Sequence, residues 1–218
     1  MTGTDLGSAA FDGADLTGAR LWMVDGQPGE LPSFVGADLT DAEMQRSVIG
    51  DISGAIVASA NLRDARVELA ADVDFTTALL ADATLGNISG ATFGTTDMSG
   101  ATLVVVDRFP DLSGLTYDEL RLRFDIERGE PVEFDLSGVD LTGVTLDAPS
   151  PWEDEGPLVI VTGLDGATLV DTRFVAVDLS RLDPGFDLGE VQLDENSICP
   201  DGEPATGGFL GTCARESP

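Results

Sequence analysis

Lysine and histidine are absent from this 218-residue chain, so all eleven of its basic residues are arginine. Without histidine there is no Ser-His-Asp or Cys-His arrangement, and without lysine there is neither a Schiff base nor a P-loop. Eleven bases against 40 acids leave a net charge of −29. Phosphate contacts need a basic stripe, so direct nucleic-acid binding is excluded, and anionic membranes are disfavoured for the same reason. No apolar run approaches the roughly 18 residues of a membrane span. Aromatic residues make up 6%, less than most compact enzymes carry, while the 42% hydrophobic content is enough for a core. Residues 1 to 10 hold neither a basic stretch nor an apolar segment, so no secretion signal is visible there.

What is present is a period of five. From Ala9 the chain reads AAFDG, ADLTG, ARLWM, which places Phe11, Leu16 and Leu21 five apart with alanine two positions before each. A helix repeats its faces every 3.6 residues and a strand every 2. A lasting interval of five calls for a coil whose straight side consumes five residues before the backbone turns. The series continues as Phe34, Leu39, Met44; Ile52, Val57, Leu62, Val67; Phe75, Leu80, Leu85; and, shifted in phase, Ile88, Phe93, Met98, Leu103. It returns as Leu136, Leu141, Leu146; then Leu164, Leu169, Phe174, Leu179; and finally Leu188, Leu193, Ile198.

GADLTGARL at 13 to 21 and GADLTDAEM at 36 to 44 closely resemble the A-(D/N)-L-x-x consensus of the pentapeptide-repeat proteins. The resemblance covers most of residues 5 to 198. It implies an all-β fold, a right-handed quadrilateral parallel β-helix, in which four repeats make a square coil of about 20 residues. At the sheet spacing, about 28 repeats would give seven coils and a stack of roughly 34 Å. The central residues and their alanines would fill the bore, because a narrow tube fits one bulky and one small side chain per face. Insertions are expected at 22–33, 104–132 and 147–163. In the second, Thr116 and Glu119 are spaced as a capping box, with Gly129 and Pro131 as a stop, so a short helix is expected from Thr116. Leu120, Leu122, Phe124 and Ile126 then alternate as in a strand.

Asp15, Asp38, Asp51, Asp74, Asp97, Asp135, Asp140, Asp178 and Asp187 each stand directly before a central residue and would line the outward faces in rows. One reading is solvation, since strong negative charge keeps exposed ladders from associating. The other follows from the resemblance: some members bind type II topoisomerases as mimics of duplex DNA, and a fixed carboxylate array can displace counterions from a basic groove. The gyrase-binding members usually dimerise through an apolar C-terminal segment. Here the end is short and rich in Gly and Pro, with Phe209 and Leu210 its large apolar residues, so a monomer is expected. Trp152 lies among prolines and acids and reads either as an anchor for a protein partner or as a cover over a coil edge; Trp22 reads as a lid over the first coil. Arg108, Arg121, Arg123 and Arg128 either neutralise nearby carboxylates or recognise a ligand.

Cys199 and Cys213 bracket the terminal segment 199–218. The CPDG stretch followed by a second Cys resembles the tail of many exported pentapeptide-repeat proteins, where it closes as a disulfide loop. Free or metal-binding thiols are the other reading, although two sulfurs without histidine make a poor zinc site. A persistent disulfide implies an oxidising compartment and hence export, with a leader removed before Met1; a cytoplasmic location is the alternative. Neither Ca²⁺-loop motif occurs, so no metal, cofactor or catalytic residue is expected. The sequence thus points to a non-enzymatic acidic scaffold or interaction module with an unidentified protein partner, or alternatively to a topoisomerase-binding DNA mimic.

Overall fold

In the computed structural model, residues 6–22, 31–105, 110–112, 114–115, 118–124, 131–148, 158–206 and 213 are described. Among them there is no helix; the elements are short strands joined by two-residue turns. The architecture is an all-β parallel β-helix, divided into two units, Met1–Leu120 and Arg121–Pro218.

In the first unit, β1 (Val48–Asp51), β2 (Arg66–Leu69), β3 (Thr84–Leu85) and β4 (Thr102–Val105) pair in parallel, in that order. Val48 sits opposite Arg66, Arg66 opposite Thr84 and Thr84 opposite Thr102, each 18 residues further on. Each full coil therefore has four inward columns. They are Phe34, Ile52, Ala70, Ile88; Leu39, Val57, Phe75, Phe93; Met44, Leu62, Leu80, Met98; and Ile49, Val67, Leu85, Leu103, all buried. Steps of five separate the first three corners, and a step of three, from Ile49 to Ile52, makes the fourth.

This corrects the expected coil of about 20 residues. Three corners are β-turns closed by bonds such as Ala37 N to Phe34 O at 3.0 Å, with the second turn residue at positive φ, as at Gly36 (64°) and Asp41 (56°). The fourth corner lies within the run from Val48 to Ile52 and uses no turn, which removes two residues. Its backbones pack closely there: a Cβ added to Gly86 would stand 2.4 Å from the Glu68 carbonyl oxygen.

Alanine two positions before each centre is buried at Ala37, Ala42, Ala55, Ala60, Ala65, Ala78, Ala83, Ala91 and Ala101. Ser47 and Thr96 take the same place and are also buried. Their hydroxyls donate to the Leu21 and Phe75 carbonyls at 2.7 and 2.6 Å, which satisfies the polar atom inside the bore. The first coil, over 6–22, is less covered: Phe11 and Leu16 are half-buried and Leu21 is buried. Phe11 stacks on Phe34 with ring centroids 5.1 Å apart.

The stretch 104–132 follows the coil for part of its length instead of leaving it. Asp111 bridges to Thr92 in parallel, Gly100 N–H donates to Asp118 O, and Leu112, Leu115 and Leu120 are buried. The helix expected from Thr116 does not form among the described residues. Thr116 itself lies outside them, and Glu119 occupies a bend with φ 60°.

In the second unit, β5 (Arg121–Phe124), β7 (Thr145–Asp147), β9 (Arg173–Val175) and β11 (Gln192–Leu193) form one parallel ladder. β6 (Val132–Asp135), β8 (Val159–Gly163) and β10 (Val177–Asp178) form another, with β8 central. Leu136, Leu141, Leu146, Leu164, Phe174, Leu179 and Leu193 are buried, and Leu169 is half-buried. Two sequence readings change here. Val159–Gly163, read as part of a loop at 147–163, is a strand with Val159 and Val161 buried, because a run of four β-branched residues, Val159 to Thr162, favours extended chain. Ile198, read as an inward centre, pairs with Asp178 on the outward register, and Cys199 fills the bore instead. The turn before it starts one residue late, at Asp194 instead of at the centre Leu193, with Ser197 N–H donating to Asp194 O at 3.1 Å, so the step from Leu193 is six rather than five.

Candidate interaction surface

The outward aspartates are tied to the turns that follow them. In Asp-x-Thr or Asp-x-Ser the carboxylate Oδ1 accepts the backbone N–H two residues on: Thr17 to Asp15 at 3.1 Å, Thr40 to Asp38 at 3.0 Å, Ser53 to Asp51 at 2.7 Å and Thr76 to Asp74 at 2.9 Å. The same holds for Ser99 to Asp97, Ser137 to Asp135, Thr142 to Asp140 and Ser180 to Asp178, and in an Asp-x-Gly turn for Gly189 to Asp187. The hydroxyls of Thr17, Thr40 and Thr142 donate to the same oxygen at 2.8, 2.7 and 2.6 Å, and those of Thr76 and Ser99 do likewise. A short polar side chain that mimics a turn bond in this way fixes the corner locally. The hydroxyl bond first and the backbone N–H second hold Asp15, Asp74, Asp97 and Asp135 below the usual carboxylate range.

The signal for this role was in the chain: DLT at 15, 38 and 140, DIS at 51, DFT at 74, DMS at 97 and DLS at 135 and 178 put a hydroxyl two residues after the acid. Of the candidate contact residues, Asp15 and Asp135 are exposed, while Asp38, Asp140 and Asp178 are half-buried. Asp15, Asp38, Ile56, Asp74, Thr92 and Asp111 form one outward column of the first unit, where the acids are interrupted by Ile56, 54% exposed, and by Thr92. Asp135, Asp140 and Asp178 belong to the second unit. Trp22 is 38% exposed, and Trp152 lies outside the described residues.

Sequence reasoning missed Asp194, a buried carboxylate in the second unit. It accepts from Ala176 N–H and Ser197 Oγ, each at 2.7 Å, and from Asn196 Nδ2 at 3.0 Å. Ala176 is held at φ 54°, and the next amide, Val177 N–H, donates to Ser197 Oγ. Burial pushes the Asp194 carboxyl up, but the bonds from Ala176, Ser197 and Asn196 together carry it below its ordinary value. A carboxyl depressed in the native state contributes stability above its unfolded pKa of about 3.9, and that contribution is lost as pH falls through the native value. Asp194→Asn is therefore expected to cost about 1–2 kcal/mol at pH 7, with the gap from the parent closing below about pH 4. Urea titrations at a series of pH values measure it, and a gap independent of pH would show that the charge plays no part.

The Cys199–Cys213 disulfide is formed, with Cα atoms 5.6 Å apart. Among the described residues no three His, Cys, Asp or Glu side chains converge as metal ligands, and no helix is long and apolar enough to cross a membrane. No protein-family model and no curated protein matches the chain. Among solved structures it is similar to HetL, a pentapeptide repeat protein involved in heterocyst differentiation regulation from the cyanobacterium Nostoc sp. strain PCC 7120. That likeness has 17% identity over 94% of this chain and 92% of that one, with a TM-score of 0.41. It is also similar to QnrB1, a plasmid-mediated fluoroquinolone resistance protein, with 16% identity over 88% of this chain and 85% of that one and a TM-score of 0.32.

Proposed function

We propose that this chain is a non-enzymatic, exported scaffold that presents its outer faces to a protein partner carrying a basic surface. The observation that supports it most directly is the filled bore: bulky centres and small partners occupy the inward columns of both units, so recognition is left to outward side chains. With a net charge of −29, those faces attract cations over several ångströms, an effect that salt screens. The turn-capping role of the aspartates favours a scaffold over a surface shaped around one ligand, since the same carboxylates that carry charge are needed to hold the corners. The disulfide supports an oxidising compartment.

The test uses the disulfide-intact protein, immobilised and exposed to the envelope and secreted fractions of its source at low and raised salt. A basic partner retained at low salt and released as salt rises is expected. Retention that ignores salt, or none at all, would overturn the reading. A supercoiling assay with purified gyrase is expected to show no effect up to tens of micromolar; inhibition at sub-micromolar protein would replace the scaffold with a DNA mimic.

A further inference from the structure

One face of the second unit has the opposite charge. The outward side of the β5–β7–β9 ladder is a small grid: Arg121 and Arg123 on β5, Thr145 and Asp147 beside them on β7, and Arg173 and Val175 on β9. Three of the eleven arginines of the chain thus share this grid with one carboxylate. Arg121 Nε lies 3.4 Å and Arg123 Nε 3.9 Å from the same oxygen, Asp147 Oδ2. Both contacts exceed the length of a charge-assisted hydrogen bond, and the two side chains remain 52% and 60% exposed. Two guanidiniums, each a planar fork suited to a whole carboxylate, therefore divide a single oxygen. Other exposed pairs among the described residues are Arg20 with Glu43, Arg46 with Asp64 and Arg181 with Glu133.

We propose that this grid binds an extended acidic segment of a protein, with two carboxylates two residues apart. Arg121 and Arg123 are themselves two apart on a strand, so their side chains leave the sheet roughly 6.6 Å from one another. Alternate side chains of an extended segment have the same spacing. Each carboxylate of the ligand would meet one fork, and Asp147, the residue they now share, would be the internal competitor. A long polyanion such as nucleic acid fits badly, because the net charge of −29 repels it beyond the grid, whereas a short segment meets mainly the local positive charge. This site is independent of the basic partner proposed above, since it selects the opposite charge.

The probe is a short synthetic peptide with a Thr-Asp-Val-Asp-Thr core, titrated calorimetrically into the full disulfide-intact chain. Its Asn counterpart and inorganic phosphate serve as comparisons. Binding is expected for the Asp peptide and not the Asn peptide, to fall at least tenfold in Arg121→Gln/Arg123→Gln, and to strengthen severalfold in Asp147→Asn. Arg20→Gln, which removes an exposed arginine in the other unit, should leave binding unchanged. These exposed pairs contribute little stability, so the variants should melt near the parent temperature. The proposal is overturned by absence of peptide binding at millimolar concentration, by equal binding to the double variant, or by phosphate competing as well as the peptide, which would mark a small-anion site.

Discussion

Phe93→Ala is expected to lower stability by about 3–5 kcal/mol, the usual range for emptying a fully buried phenylalanine site. Phe93 is wholly buried in the column Leu39, Val57, Phe75, Phe93, and its ring stacks on Phe75 with centroids 5.3 Å apart and planes 8° from parallel. The stack adds about 0.5–1.5 kcal/mol to the transfer term. The cost depends on whether the site can collapse, and here the walls resist collapse. Phe75 N–H is bonded to Thr92 O at 2.7 Å and Thr92 N–H to Val73 O at 3.0 Å, so the coils on either side are held at sheet spacing by their backbones. Phe93→Leu keeps most of the volume and should cost about 1–1.5 kcal/mol. Ile56→Ala, in the outward column beside it, should change stability by less than about 0.5 kcal/mol. Urea denaturation of the three variants measures the order. A small effect of Phe93→Ala with a large effect of Ile56→Ala would reverse the assignment of inward and outward faces.

The β-helix was legible because its cause is local and repeats. Steric fit in a narrow bore selects a large apolar residue and an alanine at fixed offsets, and each coil repeats that selection, so residues such as Leu39, Leu62 and Leu85 reinforce one another. The fourth corner left no comparable trace. Ile49 and Ile52 are both apolar, and Gly50 and Asp51 between them have the same composition as a turn, so only the register reveals that no turn is made. Cys199 was obscured by its neighbour: a step of five from Leu193 lands on the more apolar Ile198, and a turn that starts at Asp194, one residue after the centre, moves the inward position by one. The aspartates carry two roles in one position, because an acid before each centre serves charge and turn geometry at once. Distinguishing the two required the Thr or Ser two residues later, whose bond to the acid is a property of the folded corner. The grid around Asp147 brings together residues from β5, β7 and β9, a juxtaposition set by the ladder and not by sequence neighbours.

Removing the cross-link at the chain's end is the second large effect. Cys213→Ser leaves Cys199 in the bore and deletes only the bond, so the change isolates the constraint from the packing. Closing a loop of about 15 residues is worth roughly 3 kcal/mol in the chain-entropy account, and the 14-residue separation of Cys199 and Cys213 fits that case. In a solenoid each coil is stabilised by its neighbours, so an end coil has one partner where an internal coil has two, and a bond there acts where stacking is weakest. Local bonds already shape this end: Cys199 N–H donates to Glu203 O at 2.8 Å, Gly202 N–H to Cys199 O at 2.9 Å, and Ile198 pairs antiparallel with Pro204. These contacts fold a short hairpin but span only five residues beyond Cys199, whereas the disulfide ties in the chain at 213. Cys213→Ser, or the parent in reductant, should therefore show faster amide exchange at Ile198 and Cys199 and a loss of about 3 kcal/mol in the unfolding of the terminal coil. Unchanged exchange and unchanged melting after complete reduction, checked by thiol labelling, would mean that the hairpin alone closes the stack. The oxidised compartment inferred from the bond would then have no bearing on stability.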